Sequence, residues 1–201
     1  MTFHTLESSG APGAPLLFTF HGTGGDETQF HGLARQMLPH AHIISPRGDV
    51  SEHGMKRYFR RTGEGVYDME DLAKRTVTMA QFVADTKART GASRVFGFGY
   101  SNGANILASV NFGYPDLFDR IGLLHPLIPW RPEPQPDLAG KKVLITAGRQ
   151  DPICPAPATD ALADWYSGQG AELSLVWHNG GHELVHDEIR ALAAFLDPVA
   201  V

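Results

Sequence analysis

The chain has one cysteine, Cys154, so no internal disulfide framework is available to it. No apolar run approaches the ~20 residues that span a bilayer. The opening stretch "MTFHTLESSGAPGAP" has neither the basic nor the apolar region of a secretory leader. Basic charge is not in excess either. Seventeen Lys and Arg against 22 Asp and Glu leave a formal charge of −5, which offers no long-range attraction to nucleic acid or an anionic membrane. These absences lead us to expect a cytoplasmic protein of the reducing compartment, with no nucleic-acid partner and no membrane insertion. Repeats and low-complexity tracts are missing as well, and 201 residues at 42% hydrophobic suffice for one full core. One domain over 1–201 is the expectation.

Short apolar runs alternate with longer amphipathic ones, the pattern of a mostly parallel α/β sheet flanked by helices. Seven strands are expected at "FHTLE", "PLLFTFH", "AHIISP", "SRVFGFG", "RIGLLHP", "KKVLITAG" and "AELSLVWH". The unbroken apolar character of "LLFTF" and "VLITA" suits strands covered on both faces. "YDMEDLAKRTVTMAQFVADTKART" has the acidic start and apolar spacing of a long helix, with Leu72, Val77, Met79, Phe82 and Val83 as its buried stripe. Further helices are expected at "NGANILASVNFG", "PATDALADWYSGQG" and "ELVHDEIRALAAFL", and a loop at "PLIPWRPEPQP". The basic run "KRYFRR" is read first as a solvated surface segment and second as a pocket wall.

"VFGFGYSNGAN" contains Gly99-Tyr100-Ser101-Asn102-Gly103, a fit to G-x-S-x-G. With 22 glycines in the chain the five letters alone say little. The context is what the motif needs: a β-type run before it and a helix with a small-residue first turn after it, so that a sharp turn exposes the serine Oγ. Gly97-x-Gly99 fails as a dinucleotide-binding turn, because Asn102 stands where the third glycine should be. "HGTGGDE" follows the strand "PLLFTF". Small residues there let the main chain curl toward Ser101, which makes the N–H of Thr23 a second oxyanion donor beside that of Asn102. His21 is expected to shape that turn rather than move protons.

A serine nucleophile needs a base and a group to orient the base, in the order Ser, acid, His on this kind of fold. Asp151 lies in a proline-stiffened turn directly beyond the strand "KKVLITAG"; Asp137, Asp160 and Asp164 fall in a loop or on a helix. His182 stands behind Gly180 and Gly181 after the last strand, and His178 reads as that strand's final residue. A rival reading exists. His182-Glu183-Leu184-Val185-His186 also fits H-E-x-x-H, a zinc motif that needs both histidines on one helical face. The two glycines argue that the helix starts at or after His182, and "DEIRALAAFLDPVAV" offers no ready third ligand. Cys154 reads as an ordinary buried thiol.

Taken together, "HGTGGDE", "GFGYSNGAN", "GRQDPICP" and "GGHEL" resemble, in order, the small carboxylesterase branch of the α/β-hydrolase superfamily, which includes phospholipase/carboxylesterases and acyl-protein thioesterases. "ISPRGDVSEHGMKRYFRRTGEGVYDMEDL" looks closer still to a bacterial subgroup associated with quinone and aromatic-compound stress. The resemblance implies a single-domain α/β-hydrolase fold without a large lid, a Ser101–Asp151–His182 triad, and an oxyanion hole at Thr23 and Asn102. It also implies a homodimer, no cofactor, no metal, and small soluble esters, aryl esters or thioesters as substrates. Phe59, Leu127, Ile128 and Trp130 are expected to form an apolar acyl or aryl groove, with core packing the competing account of each. A hydrolase fold retained as a binding or sensor protein with little turnover is the alternative from another class.

Overall fold

The computed structural model describes residues 3–197; the outermost residues of the 1–201 span lie outside it. Along the chain, β1 (Thr5–Ser8) and β2 (Leu16–Phe20) precede a short helix α1 (His31–Met37) and β3 (His42–Pro46). Two small antiparallel hairpins follow: β4 (Val50–Glu52) with β5 (Met55–Arg57), and β6 (Arg61–Gly63) with β7 (Val66–Tyr67). Then come α2 (Met69–Thr90), β8 (Val95–Tyr100), α3 (Asn102–Gly113), β9 (Arg120–Leu124), β10 (Lys142–Gly148), α4 (Ala156–Gly168), β11 (Glu172–His178) and α5 (His186–Leu196).

The main sheet has the order β1-β3-β2-β8-β9-β10-β11, with only β1 antiparallel to its neighbour. Every residue of β2 is buried, because alternate side chains meet a helical layer on each face. Phe18, Phe20 and Ile145 pack with Leu72, Met79 and Val83 of α2, Ile106 and Val110 of α3, and Leu162 and Tyr166 of α4. Leu17, Phe96, Phe98 and Leu144 face the other way, against Ala34 of α1 and Leu192 and Leu196 of α5.

Register aligns the carboxyl ends. Phe20 pairs with Gly99, Gly99 with Leu123, Thr146 with Leu124, and Gly148 with His178, so the connections after these five strands emerge along one edge. The chain leaves β2 toward β3 on one side and returns through β8 on the other. Open α/β sheets bind ligands at such a reversal.

All seven strands expected from the sequence are present, and α3 has the expected bounds. The long helix α2 is also where expected, started by the Asp68 carboxylate accepting the Asp71 N–H at 3.0 Å and stopped by Gly91 at φ 65°. Its buried stripe differs at one position: Val77 is 56% exposed. At 100° per residue it sits about 140° around the helix from Leu72, while Thr76, Met79 and Val83 stay on the inner side. The helix α1 and both hairpins were not anticipated, since each is too short to show a period. The last helix starts at His186, three residues later than its apolar pattern suggested.

Met79→Ala should destabilise the protein by about 2–5 kcal/mol, whereas Val77→Ala should stay within about 0.5 kcal/mol. Urea denaturation of the two variants checks the assignment of the α2 faces.

Candidate active site

Ser101 occupies the one-residue turn between β8 and α3, with φ 52° and ψ −117°. A non-glycine residue rarely adopts this conformation, and the surroundings hold it there. A side chain at Gly103 would run into the Phe20 carbonyl oxygen and stand 2.5 Å from that of His21; one at Gly99 would stand 2.5 Å from the Gly103 carbonyl carbon. The two glycines of G-x-S-x-G therefore let α3 begin in contact with the end of β2. The Ser101 N–H donates to the Leu124 carbonyl at 2.9 Å, tying the turn to β9 as well.

His182 lies in the loop between β11 and α5. Its Nε2 is 3.0 Å from Ser101 Oγ and its Nδ1 2.7 Å from Asp151 Oδ2. The carboxylate is an acceptor, so Nδ1 donates to it and Nε2 is left to accept a hydrogen bond from the Ser101 hydroxyl. Gly148 makes the approach possible, because a side chain there would overlap the Gly181 carbonyl. Tyr100 secures the loop from below: its hydroxyl donates to the His182 carbonyl at 2.6 Å and its ring lies 5.2 Å from the imidazole. Asp151 is 4% exposed. Burial alone would raise its pKa, but the Cys154 N–H, His125, His182 and the Ile153 N–H outweigh that and hold the carboxyl below its ordinary range.

Thr23, Asn102, Ser101 and His182 line one cavity of about 320 Å³. As the first residue of α3, Asn102 presents an N–H with no intrahelical partner. The Thr23 turn is pinned on both sides, by the Gly22 N–H to Gln29 Oε1 at 2.8 Å and the Gly24 N–H to the Lys56 carbonyl at 3.0 Å. Beneath it, His21 donates from Nδ1 to the Gly22 carbonyl at 2.7 Å and accepts the Gly48 N–H on Nε2 at 2.9 Å. Burial lowers its pKa, so the ring is neutral and braces the turn.

Of the four residues expected to form an apolar groove, Leu127 lines this cavity and the others do not. Phe59 is fully buried, its ring centroid 4.8 Å from that of Tyr67. Ile128 and Trp130 line a second cavity of about 690 Å³ against Leu162 and Trp165 of α4. The chain turns away from the Ser101 pocket after Leu127, where the Asn105 side chain holds the loop: Oδ1 accepts the Leu127 N–H at 2.7 Å and Nδ2 donates to Tyr67 Oη at 2.8 Å. In "KRYFRR" only Lys56 and Arg60 are exposed. Arg57 is 3% exposed and donates to Thr23 Oγ1 at 2.7 Å, and Arg57 and Arg61 wall the cavity with Met55, Glu64 and Tyr67. This corrects the surface reading of that run. A buried Tyr58 explains it: its N–H donates to Asn102 Oδ1 at 2.8 Å and its hydroxyl to the Pro46 carbonyl at 2.8 Å, which draws the segment inward.

The H-E-x-x-H reading loses its geometry. His182 precedes the helix, His186 opens it as an exposed residue, and Glu183 folds back to accept the Gly181 N–H at 3.0 Å. Among the described residues, the groups close enough to share a cation are His125/Asp151/His182 and His125/His178/Glu188, and neither contains Glu183 or His186. His125 and Glu188, both fully buried, are the residues of this region that sequence reading missed. No spacing marks them, since they meet only when β9 and α5 pack together.

A parallel sheet carrying a strained serine at its carboxyl edge, with histidine and aspartate delivered from later loops, defines the α/β-hydrolase class. No family model matches the chain. It is 42% identical over 176 residues to "Putative hydrolase MhqD" of Bacillus subtilis, covering 86% of this chain and 88% of that protein. The crystal structure of Atu2452 from Agrobacterium tumefaciens, a protein of unknown function, is 50% identical, with a TM-score of 0.91 over 96% of this chain and 95% of that one. The carboxylesterase of Bacillus cereus is 36% identical, with a TM-score of 0.90 over 95% and 92%. The chain belongs to this family of small carboxylesterase-like α/β-hydrolases and is an esterase-type hydrolase. No helix among the described residues is long and apolar enough to cross a membrane.

The site's ionisation sets a pH dependence of stability. His21 is held neutral, so below its ordinary 6.5 the unfolded chain binds the proton first. Asp151 stays ionised in the fold below its ordinary 3.8, where the unfolded chain is already protonated. Both contributions are present above those values and are lost as pH falls. Tm is therefore expected to drop steadily from about pH 6.5 toward pH 3.5. Scanning calorimetry across that range checks it, and a flat or rising Tm would contradict the assignment.

Proposed function

We propose that the protein hydrolyses small soluble carboxylic esters through an acyl-enzyme, with Ser101 as nucleophile, His182 as general base and acid, and Asp151 as the group that orients and stabilises the histidine. The observation that carries this is the unbroken row Ser101 Oγ, His182 Nε2, His182 Nδ1, Asp151 Oδ2, with separations of 3.0 and 2.7 Å. As Oγ bonds to the ester carbonyl carbon, its proton passes to His182 Nε2, and the imidazolium is held by Asp151. The carbonyl oxygen takes up negative charge, which the N–H groups of Thr23 and Asn102 stabilise. Collapse expels the alkoxide, which leaves as alcohol with the proton from His182. Water then repeats the sequence: His182 takes its proton, the hydroxide attacks the acyl carbon, and Ser101 leaves with that proton restored.

The cavity bounds the substrate. About 320 Å³ suits a small ester rather than a long acyl chain. Leu127, Tyr67, Met55 and Ile153 supply apolar contact, and Arg57 and Arg61 add polar walls paired with Glu52 at 3.6 and 2.9 Å. Thioesters and aryl esters share the same attack at a carbonyl carbon and belong to the same reading.

Intact mass after treatment with a fluorophosphonate should show one adduct on the wild type, none on Ser101→Ala, and no change when a chelator is present. Ser101→Ala should lower kcat toward a short p-nitrophenyl ester by at least about 10⁴-fold, and Asp151→Asn by a comparable factor. A well-folded wild type that takes no adduct would remove the esterase mechanism and favour a binding protein on this fold.

A further inference from the structure

Behind Asp151 lies a second row of ionisable groups that the mechanism above leaves unused. His125 follows β9 in the left-handed region, at φ 50°, with its N–H still donating to the Thr146 carbonyl at 2.8 Å. Its Nδ1 is 2.9 Å from Asp151 Oδ2, the oxygen that His182 also uses, and its Nε2 is 2.9 Å from Glu188 Oε1. The side chains of His125, Asp151 and Glu188 are all fully inaccessible. Glu188 is fixed in turn, with Oε1 accepting the Thr146 hydroxyl at 2.5 Å and Oε2 the Val185 N–H at 2.8 Å.

His125 Nε2 has two neighbours, Glu188 Oε1 at 2.9 Å and His178 Nε2 at 3.4 Å; the closer is a carboxylate, so protons on both ring nitrogens are the arrangement that suits the two carboxylates. A neutral ring would set its lone pair against a carboxylate lone pair where water cannot intervene, a costly arrangement. With both nitrogens donating the ring is an imidazolium, which would cancel the charge of Asp151 if Glu188 were not present. With Glu188 the three groups carry one net negative charge, which is what a second imidazolium at His182 requires.

We propose that Asp151, His125 and Glu188 form one buried ionic unit in which His125 and Glu188 are positioning residues, fixing the Asp151 carboxylate and preserving its negative charge for His182. The role in turnover rests on the esterase reading above. The charge state of His125 does not. Burial opposes a charged His125, yet Glu188 and Asp151 raise its pKa, and His125 together with the Thr146 hydroxyl lowers that of Glu188 against the same burial.

The other groups facing this unit are His178 from β11, His182 and Glu183 from the following loop, Tyr100 from β8 and Cys154 from the turn after β10. Burial raises the pKa of Tyr100 and Cys154, so both keep their protons at neutral pH. The triangle of His125, His178 and Glu188 is also close enough to hold a cation. The tautomer of His178 decides against one: its Nδ1 accepts the Gly180 N–H at 3.0 Å, so Nε2 carries the proton, between His125 Nε2 at 3.4 Å and Glu188 Oε2 at 3.5 Å. A metal would need that nitrogen bare.

The test uses the full-length protein labelled with ¹⁵N in its histidines. In the wild type the His125 ring should keep both protons from pH 5 to pH 8. In Glu188→Gln it should lose one within that window, and the pH profile of kcat/KM should gain an ionisation at the same midpoint. Below that midpoint Asp151 is shared between two imidazoliums, so the acid limb should move down by about one pH unit, while KM stays unchanged. A neutral His125 in the wild type at pH 7 overturns the proposal, as does a bound metal at that ring. A Glu188→Gln profile of wild-type shape overturns the role in turnover. The wild-type spectrum decides the charge state even if the variant does not fold. If Ser101 takes no fluorophosphonate while His125 holds two protons, the esterase reading fails and the ionic unit stands.

Discussion

The contact between the first turn of α3 and the end of β2 is the constraint on which the rest of the site depends. Two backbone segments meet there with no room for a side chain, and the meeting fixes Ser101 in a conformation that its own φ and ψ preferences oppose. The cost is borne by the surrounding sheet. Leu124 accepts the Ser101 N–H from one side, and on the other the Asn102 side chain holds the buried segment at Tyr58. Because β2 and β8 are adjacent parallel strands, the same contact brings the turn after β2, with Thr23, beside the serine. The serine and the Thr23 turn are consequences of one packing decision.

Electrostatics completes what the backbone begins. Asp151 receives four hydrogen bonds, two from backbone N–H groups on Oδ1 and two from imidazoles on Oδ2. Bonds to a charged acceptor contribute about 1.5–3 kcal/mol each, so the ionised carboxylate is favoured despite its burial. That is how an acid can remain charged beneath the surface, aimed at His182. The same logic extends inward to His125 and Glu188, where each buried charge has a partner of opposite sign at 2.9 Å. A buried ionic row of this kind gives definite orientation more readily than it gives stability.

The hairpins between β3 and α2 give the pocket its character. Among the described residues, cavity walls come from Met55, Arg57, Arg61 and Tyr67 on the short strands of these hairpins. Arg57 ties this wall to the Thr23 turn through the Thr23 hydroxyl, so the segment that walls the cavity also supports the turn beside Ser101.

The strands, the long helix and the Ser101 turn were legible in the sequence because each is encoded locally: apolar runs such as "LLFTF" need cover on two faces, α2 shows its period over 22 residues, and a serine between close-set glycines marks a sharp turn. The approximate positions of Asp151 and His182 followed from strand order, since loops after parallel strands emerge on one edge. Three matters were left to tertiary structure. Ile128 and Trp130 face another cavity because Asn105 redirects the chain after Leu127. Arg57 and Tyr58 turn inward, and Phe59 with them, because of bonds to residues 34 or more positions away in sequence: Arg57 to Thr23 and Tyr58 to Asn102. His125 and Glu188 meet across 63 positions because β9 and α5 pack on the same part of the sheet. Periodicity reports which face of an element is buried. It carries no information about which buried polar groups will meet, and that is decided only when the elements pack and every charge removed from water must find a partner.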